Sequence, residues 1–185
     1  MEYRKNDIVT LEIVDCGTDG EGIGKADGFT VFVKDAVIGD TVTAKIMKAK
    51  KNYGYGRLME ILKPSPYRVD PICPSARQCG GCQLQAVSYE EQKAFKEKKL
   101  RGHLERIGGF KELPMEPLIG MDEPYHYRNK AQFPVGRNKE GRIVTGFYAG
   151  RTHAIIENRD CALGIPQNKE VLDRVIAHME KYNIA

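Results

Sequence analysis

Three cysteines that fall within ten residues constrain the fold of this chain more than any other feature. Cys73, Cys79 and Cys82 stand in the stretch CPSARQCGGC, where Gly80-Gly81 lets the backbone turn tightly around whatever the thiols hold. The N-terminus has no signal-peptide hydrophobic region, so we expect a cytoplasmic protein in a reducing compartment. Clustered cysteines in that setting bind metal more often than they form disulfides. The pattern therefore predicts a compact ligand loop.

A fourth ligand for this loop has to come from elsewhere in the chain. Cys161 is the candidate, because it follows a segment of β character and precedes a predicted helix. Cys16 lies in the β-rich N-terminal part and is interpreted as a small buried hydrophobe. Four thiolates suit either a tetrahedral zinc ion or a [4Fe–4S] cluster, and the spacing alone does not separate the two. A disulfide framework is the third alternative.

The first sixty residues have the pattern of a small all-β domain. Short β-rich runs at 8–14, 29–33, 42–46 and 57–62 are separated by glycines and by Asp-Gly pairs, which favour tight turns. Such closely spaced strands predict an OB-like β-barrel over residues 1–62. The glycines Gly20, Gly22 and Gly24 are interpreted as turn residues, since a strand and not a nucleotide-binding helix follows them.

Residues 63–72 are interpreted as a stiff, extended linker, because the stretch from 63 to 74 holds four prolines. The remaining residues, 73–185, predict a small mixed α+β domain that carries the cysteine loop. Ser88 and Glu91 form a capping-box pattern ahead of a helix that ends near Ile107. A hairpin around residues 138–141, a third strand and a second helix over 167–182 complete the predicted α+β fold.

Basic charge is concentrated in three blocks, although the whole chain carries a net charge of only +4. Residues 1–44 hold 4 basic and 9 acidic side chains, a net of −5. Residues 45–63, 93–111 and 128–159 each carry a net of +5. A surface that binds a polyanion needs such local concentrations of positive charge. Each block taken alone is also compatible with an ordinary solvated surface.

Two of these blocks contain patterns that favour RNA binding. In the stretch 48–57, cations that neutralise phosphate alternate with tyrosines that stack on unpaired bases. In the stretch 128–130, consecutive polar side chains can reach phosphates or base edges. The alternatives are a lysine-rich hairpin with core tyrosines and ordinary surface polarity. The predicted contacts are Lys48, Lys50, Lys51, Tyr53, Tyr55, Arg57, Arg128, Asn129 and Lys130.

Several stretches of the chain resemble the bacterial RNA (uracil-5-)-methyltransferase family, and most closely its 23S rRNA branch. GEGIGKADGFTVFVKDAVIGDTVTAKI resembles a TRAM domain, the RNA-binding barrel of that family. CPSARQCGGCQLQAVSYEEQKAFKEKKL resembles its cluster motif, YRNKAQFPVG its central-domain strand, and RDCALGIPQ the site of its fourth cysteine. The resemblance implies a [4Fe–4S] cluster held by Cys73, Cys79, Cys82 and Cys161 in an iron–sulfur central domain.

The resemblance also implies a function. The expected activity of the family is the transfer of a methyl group from S-adenosylmethionine to C5 of uridine, and the expected partner is 23S rRNA. No catalytic-cysteine motif or glycine-rich cofactor loop is present in these 185 residues, so we assign no catalytic residue and expect this chain alone to be inactive. We expect a monomer with no membrane segment. The alternatives are a stand-alone RNA-binding module with a structural zinc site and an electron-transfer protein.

Overall fold

Residues 3–150 and 152–184, which a computed structural model describes, form eight strands and two helices. Within these residues, neither helix is long and apolar enough to cross a membrane. The elements in chain order are β1 Ile8–Cys16, β2 Gly22–Ala26, β3 Phe29–Lys34, β4 Thr41–Ala49, β5 Tyr53–Lys63, α1 Tyr89–Arg106, β6 Val135–Arg137, β7 Ile143–Tyr148, β8 Ile155–Glu157 and α2 Gln167–Lys181.

The chain divides into two compact units. The barrel unit contains the residues up to Asp70 together with Ala86–Ile119, and the cysteine unit contains Pro71–Gln85 together with the residues from Gly120 onward. A barrel followed by a small sheet and two helices agrees with the predicted α+β class. The units differ from the predicted division: residues 63–70 of the expected linker and the segment Ala86–Ile119, which contains α1, both belong to the barrel unit.

The barrel is closed by strands β1 to β5 in the order β1-β2-β3-β5-β4. Its neighbouring strands are antiparallel except for β3 and β5, which run parallel. Alternate residues of β1 point inwards, so Val9, Leu11 and Ile13 are buried and pack with residues such as Val31 and Val42. The small barrel predicted from the spacing of the strands is therefore confirmed.

Strand β2 is the barrel strand that the sequence analysis did not predict. Gly22 and Gly24 lie within this strand, whereas Gly20 has a φ of 81° and does occupy a turn. A Cβ on Gly22 would lie 2.7 Å from the Ala36 carbonyl oxygen, and a Cβ on Gly24 would collide with the Glu12 carbonyl. Glycine is required here because the neighbouring backbone comes so close. The interpretation of Gly22 and Gly24 as turn residues is wrong.

A buried ion pair fixes the proline-rich segment to the barrel. Asp40 is fully buried, and its carboxylate accepts hydrogen bonds from Arg68 Nε at 3.0 Å and from the backbone N–H groups of Val37 and Ser65. Arg68 Nη2 also donates to the Asp35 carbonyl at 2.9 Å. The segment expected to be an extended linker is thus anchored by its own residues.

Helix α1 begins where the sequence predicts, and it contacts the barrel. The Ser88 hydroxyl accepts the Glu91 N–H at 3.4 Å, whereas the Ser88 N–H donates to the Tyr67 carbonyl at 2.8 Å. Half of the capping box is therefore formed. Lys98 of the helix lies 3.6 Å from the Asp15 carboxylate of β1. This ion pair brings the basic helix beside the first strand.

The cysteine unit is built on the three-stranded antiparallel sheet β6-β7-β8. Strands β6 and β7 form the predicted hairpin, and Gly141 in its turn has a φ of 77°. Helix α2 packs against β7. The buried aliphatic side chains of the two elements are Ile143, Val144, Leu172 and Ile176.

Candidate functional site

The three clustered cysteines lie on a loop of consecutive turns. The Ala76 N–H donates to the Cys73 carbonyl at 3.1 Å, and the Cys79 N–H donates to the Ser75 carbonyl at 2.8 Å. Cys73 and Cys79 are buried, and Cys82 is half-buried. All five cysteines of the chain are free thiols, so the thiols are available as ligands.

Backbone contacts attach this loop to the sheet of the same unit. The Gly80 N–H donates to the Tyr148 carbonyl at 2.9 Å, and Cys79 forms an antiparallel bridge with Ala149. A Cβ on Gly80 would lie 3.0 Å from the Tyr148 carbonyl oxygen and 3.1 Å from the Gly150 nitrogen. Glycine at position 80 therefore allows the loop to lie directly on the end of β7.

Cys161 lies on the loop between β8 and α2. The Gly164 N–H donates to the Cys161 carbonyl at 2.9 Å and closes a turn. Just before this turn, the Arg159 guanidinium pairs with Glu157 of β8 and with Asp173 of α2, each at 3.1 Å. Contacts on both sides of Cys161 thus hold its loop between the strand and the helix.

The four predicted ligands all belong to the cysteine unit. Burial raises the pKa of Cys82, and the neighbouring thiols of Cys161, Cys79 and Cys73 raise it further. A hydrogen bond from the Gln85 side chain opposes this effect, because it favours the thiolate of Cys82. Burial is the largest of these effects on Cys82.

Cys16 takes no part in this group, because it belongs to the barrel unit. Burial raises the pKa of its thiol to about 11, and the Glu21 carboxylate adds to the shift. Its exposure is intermediate, so the interpretation as a buried hydrophobe applies only in part.

Hydrogen-bond donors also face the sulfurs of Cys79 and Cys73. The Gly81 N–H donates to Cys79 Sγ at 3.3 Å, and Asn158 Nδ2 donates to Cys73 Sγ at 3.6 Å. Such donors stabilise negative charge on sulfur. Within residues 3–150 and 152–184, however, no three or more Cys, His, Asp or Glu side chains form a group that could hold a metal ion.

All nine predicted RNA contacts are exposed, and six of them lie on the β4–β5 hairpin of the barrel unit. Tyr53, Tyr55 and Arg57 alternate along β5 and share its outer face. Tyr53 is 37% exposed and Tyr55 36%, so the alternative of core tyrosines is wrong. The other three cations stand at the end of β4 and in the turn: Lys48, Lys50 and Lys51.

A third aromatic side chain joins the two tyrosines. Phe32 of β3 pairs with Tyr55 in the parallel register of β3 and β5. Its ring centroid lies 5.6 Å from that of Tyr55 and 5.8 Å from that of Tyr53, and the two tyrosine centroids are 5.8 Å apart. We call Phe32, Tyr53 and Tyr55 the aromatic platform. Phe32 was not among the predicted contacts. It alternates with the buried Val31 and Val33, and this alternation indicates an outward-facing side chain.

The remaining three predicted contacts lie on an extended segment of the cysteine unit, residues 128–130. The Arg128 N–H donates to the Leu163 carbonyl at 2.8 Å, and two residues earlier the His126 N–H donates to the Ala162 carbonyl at 3.0 Å. These bonds attach the segment to the loop that follows Cys161. The segment thus presents exposed polar side chains while its backbone is fixed to the loop of the fourth cysteine.

Comparison with known proteins identifies the barrel and relatives of the whole chain. Residues 4–59 match the family model of the TRAM domain. The chain is 44% identical over 172 residues to an uncharacterised RNA methyltransferase of Halalkalibacterium halodurans, a match that covers 93% of this chain and 37% of that protein. A relative of the same description from Clostridium tetani is 42% identical over 185 residues and is covered to 40%. The chain thus spans about two fifths of the length of these curated relatives.

The fold also matches a solved structure. The crystal structure of a tRNA (uracil-54, C5)-methyltransferase from Pyrococcus abyssi, in complex with S-adenosyl-L-homocysteine, aligns with a TM-score of 0.60 and 23% identity. The match covers 94% of this chain and 37% of that protein, and at this identity it supports the fold alone. The barrel at residues 4–59 is therefore a TRAM domain, and the chain is similar throughout to part of proteins named RNA methyltransferases.

Proposed function

We propose that this chain is the RNA-recognition part of an S-adenosylmethionine-dependent 23S rRNA (uracil-5-)-methyltransferase. The observation that carries the proposal is the aromatic platform with its flanking cations on a TRAM barrel. The names of the relatives support the type of reaction, and the match to the P. abyssi enzyme supports the fold. In this role the chain acts as a cytoplasmic monomer that binds folded rRNA and positions a uridine, and no described residue transfers the methyl group.

Stacking and charge act together on the barrel face. Tyr53 and Tyr55 are each more than one-third exposed, so a base can reach their rings without displacing the barrel core. Each base stacked on an aromatic ring contributes roughly 1–3 kcal/mol. Lys48 and Arg57 flank the rings and Lys50 lies in the adjoining turn, where cations neutralise the phosphates that connect the stacked bases. Since every base has a stacking face, this surface favours unpaired RNA of varied sequence.

The exposed segment 128–130 supplies a second set of RNA contacts. Arginine and lysine bind phosphate oxygens, and asparagine can bind either a phosphate or a base edge. The backbone of Arg128 is hydrogen-bonded to Leu163 in the loop that contains Cys161. The position of these RNA contacts therefore depends on how that loop is held.

We further propose that Cys73, Cys79, Cys82 and Cys161 hold a [4Fe–4S] cluster. Four free thiols are a donor set that suits iron and sulfide, and N–H donors to Cys73 and Cys79 would stabilise negative charge on two of the sulfurs. The bound cluster would tie residues 73–82 to the Cys161 loop.

Competition between RNAs tests the proposed target. We expect fragments of 23S rRNA with unpaired uridines to displace a fluorescent single-stranded RNA from the chain more effectively than tRNA does, at one fixed salt concentration. Fluorescence anisotropy measures the displacement. A preference for tRNA would contradict the 23S target, and equal displacement by duplex DNA would contradict recognition of RNA altogether.

Tyr55→Ala is expected to weaken binding of unpaired RNA by about 5- to 150-fold, the equivalent of one lost stacking contact of roughly 1–3 kcal/mol. Tyr55→Phe keeps the ring and should bind nearly as well as the unchanged protein. Tyr67→Ala is the matched control, because Tyr67 is similarly exposed at 43% but lies off the platform. Equal affinities for Tyr55→Ala and Tyr67→Ala in a filter-binding assay would contradict the role of the platform.

A further inference from the structure

Asn158 connects the two segments that carry the cysteines. It follows directly after β8 and stands three residues before Cys161. Its backbone N–H donates to the Thr145 carbonyl at 3.1 Å, and its side-chain Oδ1 accepts the Asp160 N–H at 3.0 Å. Its Nδ2 donates to Cys73 Sγ at 3.6 Å, across 85 positions of the sequence.

These contacts determine which end of the amide faces the sulfur. The Asp160 N–H can be accepted only by the amide oxygen, so the NH₂ group of Asn158 must point towards Cys73. The backbone beneath the amide is also fixed. Thr145 is fully buried, and a Cβ on Gly146 would lie 2.6 Å from the Asn158 nitrogen, so β7 allows this close approach only because it has glycine there.

We infer that Asn158 is a positioning residue that hydrogen-bonds to the Cys73 sulfur when this sulfur ligates the cluster, and that it thereby raises the reduction potential of the cluster. The inference rests on the proposed cluster and adds a redox consequence to its structural role. One-electron reduction increases the negative charge shared by the irons and their sulfur ligands. An N–H donor stabilises this charge more strongly in the reduced state, so it favours reduction.

The burial of Cys73 makes this donor difficult to replace. The residue is only 7% exposed, so water has little access to its sulfur if the amide is removed. The Gly81 N–H, which donates to Cys79 Sγ at 3.3 Å, belongs to the backbone, so no side-chain substitution removes it. Asn158 is therefore a position at which the effect of an N–H donor on the cluster can be tested by substitution.

Redox titration of the full chain tests the inference. The protein is reconstituted anaerobically with iron and sulfide and titrated with dithionite, and the reduced cluster is followed by electron paramagnetic resonance. Asn158→Leu removes the donor at similar volume, and Asn158→Asp replaces it with a negative oxygen. Gln83→Leu is the control, because this exposed amide donates to the Gly80 carbonyl and to no sulfur.

We expect both Asn158 variants to keep their iron and to have a more negative reduction potential, with the larger shift for Asn158→Asp. At a fixed potential the ratio of reduced to oxidised cluster in Asn158→Leu should fall about three- to tenfold, the effect of one hydrogen bond of ordinary strength. Gln83→Leu should leave the ratio unchanged.

Three results would overturn the inference. Equal potentials in the unchanged protein and both variants would show that the amide has no influence on the cluster. Complete loss of iron from both variants would show that Asn158 is required to build the site and does not merely tune it. Failure of the unchanged protein to assemble any cluster would overturn the proposed cofactor together with the inference, which distinguishes that failure from the first two.

Discussion

Cys79→Ala is expected to abolish iron binding and to unfold much of the cysteine unit while the TRAM barrel stays folded. Cys79 is buried, its sulfur receives the Gly81 N–H, and its backbone bridges to Ala149 beside β7. The substitution removes one of four proposed ligands together with a sulfur that fills the interior of the loop. We expect an incompletely ligated cluster to be lost, so that the remaining thiols are no longer connected through it.

The cysteine unit depends on this site because its apolar core is small. Apart from the buried cysteines, its buried hydrophobic residues are Ile143, Val144, Leu172 and Ile176 among those described. The core of the barrel contains ten buried hydrophobic residues. Ligand sites of this kind contribute directly to folding, with apparent binding free energies of about 10–16 kcal/mol for structural zinc in small domains. Four aliphatic side chains at roughly 1.5–3 kcal/mol each give roughly 6–12 kcal/mol, which is small beside the conformational entropy lost by a unit of this size.

Analysis of iron and acid-labile sulfide after anaerobic purification measures the loss of iron binding in Cys79→Ala. Amide hydrogen exchange measures the stability of each unit separately. Cys16→Ala is the matched control, since this thiol lies in the barrel unit and should leave iron content unchanged. Retention of full iron content by Cys79→Ala would contradict the ligand assignment. If the unchanged protein is colourless and contains zinc, the cluster assignment is wrong and the site is a structural zinc site.

The barrel strands were predictable from the sequence where apolar side chains alternate with polar ones and so indicate which face of the strand is buried. Val9, Leu11 and Ile13 alternate with exposed residues, and this alternation predicted β1. Strand β2 escaped prediction because Gly22 and Gly24 have no side chains that could alternate. Glycine is required at these two positions because neighbouring backbone comes close to them, and this close approach exists only after the strands have packed.

The sequence was sufficient to propose four cysteine ligands, but it did not predict the residues around them. Three cysteines within ten residues form a local pattern, and Cys161 was chosen for its place between β-type and helical segments. Asn158 and Gln85 carry no such pattern, because an amide that donates to sulfur can come from any distance along the chain. Their positions follow from the strand pairing of β7 and β8 and from the turns of the loop.

Long-range pairing also explains why the sequence did not predict how the proline-rich segment is anchored. Prolines indicate stiffness, and they correctly mark the end of the barrel strands near Lys63. They say nothing about Arg68, which reaches back 28 positions to Asp40. Two charged residues so far apart show no spacing that predicts a contact, and burial of the carboxylate becomes evident only in the folded barrel.

Asp40→Ala is expected to destabilise the barrel by about 3–5 kcal/mol, the usual cost of removing one partner from a buried ion pair. The substitution leaves the Arg68 guanidinium without its carboxylate and removes the acceptor of the Val37 and Ser65 N–H groups. Lys98→Ala is the control, because the Lys98–Asp15 pair is exposed on both sides and should contribute less than about 1 kcal/mol. Hydrogen exchange of barrel amides, followed with increasing denaturant, measures both variants.

The same carboxylate predicts a pH dependence of barrel stability. Burial alone would raise the pKa of Asp40, but the hydrogen bonds from Arg68, Ser65 and Val37 together outweigh it and hold this pKa below its ordinary value. A carboxyl with a lowered pKa in the folded state stabilises the protein at neutral pH, and this contribution is lost as the pH falls below about 3.9, the value in the unfolded chain. Asp40→Asn cannot ionise, so the stability difference between the unchanged protein and Asp40→Asn should shrink as acid is added. A difference that stays constant from pH 7 into the acid range would contradict the ionised pair and would assign the stability to neutral hydrogen bonds.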